Sequence, residues 1–105
     1  MDEIIFEKGP EKKYRLCGLE KINSRKQMKL NIFLNAISDA EIHHTKDIFE
    51  ISFSCTDTYA IARCLQELWK FLENNGFSIK ADKKIVEMLD SQQKFETKEA
   101  QTAEL

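Results

Sequence analysis

A chain of 105 residues, 42% hydrophobic and 32% charged, has the size and make-up of one globular domain, long enough to bury a single core without a metal or disulfide staple. Its formal charge of -2 lacks both the strong positive field of a typical nucleic-acid binder and the heavy negative charge of a nucleic-acid mimic. Three glycines and one proline leave little material for a Gly-rich phosphate cradle, and no apolar run approaches the roughly 18 to 20 residues that cross a bilayer.

In chain order, Ile4, Ile5 and Phe6 are β-prone and end at Lys8-Gly9-Pro10, a turn signal, so a short first strand is expected. From Lys13 to Ile22, Tyr14 and Leu16 alternate with Lys13 and Arg15 until Gly18 interrupts and Leu19 falls on the opposite parity. A second strand with a bend at Gly18 accounts for the switch. Asn23 to Lys26 reads as a polar hairpin connection. The segment Gln27 to Ile37 places Met28, Leu30, Ile32, Leu34 and Ala36 on one parity, the pattern of a central antiparallel strand, with Phe33 and Ile37 breaking its polar face. Ser38 to Asp47 is a charged connection in which Ala40, Glu41 and Ile42 can extend that strand.

Phe49, Ile51, Phe53 and Cys55 then alternate with Glu50, Ser52 and Ser54 as a half-buried strand. Thr56, Asp57 and Thr58 are helix starters, and Ile61, Cys64, Leu65, Leu68 and Leu72 share one face of the helix that follows. Asn74, Asn75 and Gly76 close it, since glycine enters the left-handed conformation without a Cβ penalty. Phe77 and Ile79 form a brief apolar link. Asp82 offers an N-cap to a second, narrower helix with Ile85, Val86, Met88 and Leu89. The resulting expectation is an α+β fold in the order β-β-β-β-α-α. A small antiparallel sheet of three to four strands is covered on one face by one long C-terminal amphipathic helix, with a shorter helix behind it. Residues 1-95 form the domain, and residues 96-105, with few apolar side chains, form a polar, disordered tail.

Three cysteines, Cys17, Cys55 and Cys64, make an odd count with no CxxC pair, and the acidic start Met1-Asp2-Glu3 has the wrong charge for a secretory signal. Both point to a reducing, cytoplasmic setting. His43 and His44 lie beside Glu41 and Asp47, yet neighbouring side chains of an extended segment point to opposite sides and seldom reach one ion. No metal site and no cofactor are expected. No nucleophile-base grouping or signature motif for acyl transfer, phosphate binding or dinucleotide binding is present, so no enzyme is expected.

Two binding readings remain. The first is a small protein-binding module, an adaptor, inhibitor or self-associating subunit such as a homodimer, whose contact residues are Trp69, Phe33, Ile37 and Tyr59. Tyrosine and tryptophan are enriched at interface hot spots. The alternative is a nucleic-acid-binding module in which Lys12, Lys13, Arg15, Arg25, Lys26 and Lys29, laid along a basic hairpin of residues 8-29, neutralise phosphates. No membrane partner is expected.

Overall fold

The computed structural model describes residues 2-90 of the chain. Its elements run β1 (Asp2–Lys8), β2 (Lys13–Cys17), a 3-10 turn (Leu19–Lys21), α1 (Ser24–Asn35), β3 (Ala40–His44), β4 (Ile48–Phe53), α2 (Thr58–Asn74), β5 (Phe77–Ala81) and α3 (residues 83-90). The strands form one five-stranded sheet in the order β3-β4-β2-β1-β5. Its pairs are antiparallel except β1 with β5, which run parallel. The expected β-β-β-β-α-α order is therefore corrected: the sheet is mixed, a helix interrupts the strands after β2, and a strand follows the long helix.

The largest correction falls on Gln27 to Ile37, expected as a central strand and found as most of α1. The apolar residues of this stretch satisfy two periods at once. Met28, Leu30, Ile32 and Leu34 alternate, but Leu30, Phe33, Leu34 and Ile37 also lie at i, i+3, i+4 and i+7, one helix face. Burial decides between them. Leu30 and Leu34 are in the core with Phe33 and Ile37 packed against it, while Met28 and Ile32 are 64% and 65% exposed. The polar hairpin expected at residues 23-26 is instead the helix start, where the Asn23 side chain accepts from the Lys26 N–H at 2.9 Å.

Other local readings hold. The alternation of β4 buries Phe49, Ile51 and Phe53, and α2 turns Ile61, Leu65, Leu68 and Leu72 inward. Asp57 caps α2 by accepting from the N–H groups of Tyr59 and Ala60, and Gly76 leaves it at φ +80°. Gly18 bends the chain out of β2 at φ +93°, which lets Leu19 turn into the core.

Phe77 and Ile79, read as a link, belong to β5, which pairs with β1 from Asp2–Phe77 to Phe6–Ala81. Asp82 then ties three elements together. Its carboxylate accepts from the Ile85 N–H to cap α3 and from the Lys8 N–H at the end of β1, and its own N–H donates to the Phe6 carbonyl.

All three helices lie on one face of the sheet. The inward residues of the strands, among them Ile4, Phe6, Tyr14, Leu16, Phe49 and Ile51, join Leu30, Leu65, Leu68 and Ile85 in one core. The helix-free face carries the opposite parities of every strand. Each large aliphatic or aromatic side chain taken fully from water contributes about 1.5 to 3 kcal/mol, so this single layer is the main source of stability before conformational entropy is subtracted. The expected tail at 96-105 lies outside the described residues.

Candidate functional site

The contact residues named from sequence fall on two sides of α2. Phe33 stacks on Phe71 with ring centroids 4.4 Å apart and planes 22° apart, joining α1 to α2. Just past the end of α1, Ile37 helps wall a groove of about 410 Å³ between the two helices. Phe53, Cys55, Ile61 and Cys64 complete its apolar lining, and Asp39, Arg63 and Glu67 stand at its rim.

Trp69 lies on the side of α2 turned away from that groove, and Tyr59 stands near the helix start beside the rim residue Arg63. Trp69 is half-buried, its ring 6.2 Å from that of Phe6, and it borders a second hollow of about 310 Å³ against Val86 and Leu89 of α3. Tyr59 sits one residue into α2 with the Arg63 guanidinium 5.9 Å from its ring centroid. Ten residues of helix separate it from Trp69, about 15 Å of rise. The four residues thus do not form one surface, and of the two hollows the α1–α2 groove is the roomier and carries the more apolar side chains.

The six basic residues are also divided. Lys13 and Arg15 project from β2 on the helix-free face, and Lys12 stands at the adjoining hairpin with its Nζ 3.5 Å from the Ser54 carbonyl. Arg25, Lys26 and Lys29, expected on a strand connection, belong to α1 in the helical layer on the other side of the sheet. Two of the six are neutralised locally. Arg15 pairs with Glu7 at 3.5 Å and Glu50 at 3.4 Å, and Lys26 pairs with Asp2 at 2.7 Å while its Nζ lies 5.4 Å from the Phe77 ring centroid. The Lys26 hydrogen bond holds the Asp2 carboxyl below the ordinary aspartate value.

On the helix-free face the strand registers set charges in a row. Glu7 of β1 stands opposite Arg15 of β2, Arg15 opposite Glu50 of β4, and Glu50 opposite His43 of β3. Cys17 lies beside this row and donates to Glu7 Oε1 at 3.4 Å. Burial first, then the Glu7 carboxylate, pushes its thiol up to about 11. Cys64, in the groove, is raised too, chiefly by burial and then by Glu67 and Cys55. Raised thiols stay protonated at neutral pH and are poor nucleophiles.

His43 and His44 point to opposite faces. His43 joins the charged row, whereas the His44 ring lies on the helical side, 4.1 Å from that of Phe49. Among the described residues no group of three or more His, Cys, Asp or Glu side chains is placed to hold a metal ion, and no helix is long and apolar enough to cross a membrane.

The α1–α2 groove escaped sequence reasoning in part. Phe33 and Ile37 were singled out, but Cys55 and Cys64 were assigned to the core and their shared wall was not foreseen. The spacing of Phe33 and Ile37, four residues apart, was the available signal, and it points to one surface only once the segment is helical. Comparison with protein-family models, with characterised proteins and with solved structures finds no match to this chain.

Proposed function

We propose that this chain is a small protein-binding module acting by contact, without catalysis of its own, and that its recognition site is the groove between α1 and α2. The observation that carries the reading is the concavity itself: Phe33, Ile37, Phe53, Cys55, Ile61 and Cys64 enclose about 410 Å³ under a charged rim. A cleft with apolar walls and a few polar groups at its mouth suits a large apolar side chain from a partner segment, with orientation set at the rim. Two rim carboxylates, Asp39 and Glu67, against one guanidinium, Arg63, favour a segment that carries a lysine or arginine beside its apolar anchor. The protonated thiols of Cys17 and Cys64 fit a surface that binds rather than reacts.

Selection of a displayed random-peptide library on the full chain tests this. Peptides pairing an apolar anchor with a basic neighbour are expected to enrich, and Ile37→Asp, which puts a charge into the groove wall, is expected to abolish their binding while the variant still melts cooperatively. No enrichment, or enriched peptides that bind Ile37→Asp equally well, overturns the proposal.

A further inference from the structure

The sheet has two edges, and they are not equivalent. At one edge lies β5, paired in parallel with β1 and followed by Asp82, which ties the start of α3 to the end of β1. At the other, β3 pairs, among the described residues, with β4 alone.

The hydrogen-bond phase of the β3–β4 ladder shows which backbone groups of β3 face outward. Thr45 N–H donates to the Ile48 carbonyl and Ser54 N–H to the Asp39 carbonyl, so those pairs are of the hydrogen-bonded kind. In an antiparallel ladder such pairs recur at every second residue, which makes His43–Glu50 and Glu41–Ser52 hydrogen-bonded as well. Ala40, Ile42 and His44 lie between them, and their N–H and C=O groups point away from the sheet. Among the described residues no strand meets this row of donors and acceptors, the template for adding one.

We propose that this edge pairs with the same edge of a second copy, antiparallel about a two-fold axis at Ile42, to give a continuous ten-stranded sheet. The reading is separate from the groove and uses different residues. The argument for a second copy, rather than an arbitrary strand, is charge complementarity set by register. Outward-facing groups can pair only with outward-facing groups, so Ile42 must meet Ala40, Ile42 or His44 of the other chain.

With Ile42 opposite Ile42, all five residues of β3 are used. Glu41 then faces His43 of the second copy, twice by symmetry. One permitted shift sets Glu41 against Glu41, and the opposite shift sets His43 against His43. An imidazole donates to a carboxylate in either protonation state, whereas two facing carboxylates repel.

The favoured register also continues the row already present in each chain. From Glu7 through Arg15, Glu50 and His43, the next residue across the dyad is Glu41 of the second copy, so acidic and basic groups keep alternating through the junction. The pattern Glu41-Ile42-His43 is thus self-complementary about its central residue, the requirement for an isologous interface. Both Glu41 and His43 are exposed in the single chain and leave room for the approaching strand.

Sedimentation equilibrium of the full chain, from micromolar to about millimolar concentration, tests the proposal. A reversible monomer–dimer equilibrium is expected, the mass rising from 12.3 kDa toward twice that value. Glu41→Lys, which removes the carboxylate that the facing imidazole donates to, and His43→Glu, which sets two carboxylates against each other across the dyad, should each weaken association roughly tenfold. The double variant Glu41→Lys/His43→Glu, which restores opposite charges, should recover it, with circular dichroism confirming that all variants are folded. Amide exchange at Ile42 should also slow as concentration rises. A chain that stays monomeric throughout overturns the interface, and so does a dimer indifferent to the single variants or not rescued by the double one. No peptide is present in these measurements, so their failure leaves the groove untouched, just as failed peptide selection leaves this interface standing.

Discussion

The molecule contains two ββα units of the same topology put to different uses. β1, β2 and α1 form the first, and β3, β4 and α2 form the second. The order β3-β4-β2-β1 sets them about an approximate two-fold axis between the central strands β2 and β4. In the first unit the outer strand β1 is covered by β5 and buttressed by α3. In the second the outer strand β3 has no such cover among the described residues. One parallel strand makes the difference between an outer strand held inside the sheet and one that lies at its edge. The second unit also supplies Phe53, Ile61 and Cys64 to the α1–α2 groove, so both proposed contact surfaces draw on it.

The comparison can be broken or sharpened by substitution, and the largest effect is expected where the two units share a core. Leu30 is fully buried on α1, so Leu30→Ala should lower unfolding free energy by about 2 to 5 kcal/mol in chemical denaturation. A cost under 0.5 kcal/mol would contradict the helical placement of that segment. On the β1–β5 side, Asp82→Ala removes the α3 cap and leaves the Lys8 N–H without its carboxylate partner. A loss of about 2 kcal/mol is expected, with faster amide exchange at Lys8 and Ile85 than at the β3–β4 ladder. Asn23→Ala, which removes the α1 cap, should cost about 1 kcal/mol.

A smaller, pH-dependent effect belongs to the Asp2–Lys26 pair, which fastens α1 to β1. Because Lys26 lowers the Asp2 carboxyl in the folded state, its stabilising effect is complete above the ordinary aspartate range. It should fade as acidity rises through the lowered folded value. Lys26→Met should therefore flatten the stability profile on the acid side of about pH 4 and leave it parallel to the parent at neutrality. The smallest change is expected from Ile32→Ala on the solvent side of α1, within about 0.5 kcal/mol of the parent. Set against Leu30→Ala, it separates a helix from a strand two residues apart.

How far the sequence could be read depended on whether one period ruled each segment. β4 and α2 each obey a single period and carry their own punctuation, the Asp57 cap and Gly76, so both were legible residue by residue. Residues 27-37 obey two. The alternating reading prevailed because Met28 and Ile32 are apolar although they face solvent, and the Asn23 cap that would have decided for a helix was taken for a turn. Phe77 and Ile79 offered too short a run to identify β5, whose partner β1 lies more than seventy residues away in the chain. Of the candidate contacts, Phe33 and Ile37 were visible as apolar residues out of step with a strand, while the groove they wall with Cys55 and Cys64 was not.

By itself the amino-acid order determined what nearest neighbours control: the short strands with their alternating faces, the capped amphipathic α2 and the polar faces. The tertiary structure alone decided which of two local periods α1 obeys, which strand β5 joins and which strands lie at the sheet edges. Those outcomes turn on burial against residues far away in the chain, and the free energy of removing Leu30, Phe33 and Leu34 from water exists only once β4 and α2 are there to receive them.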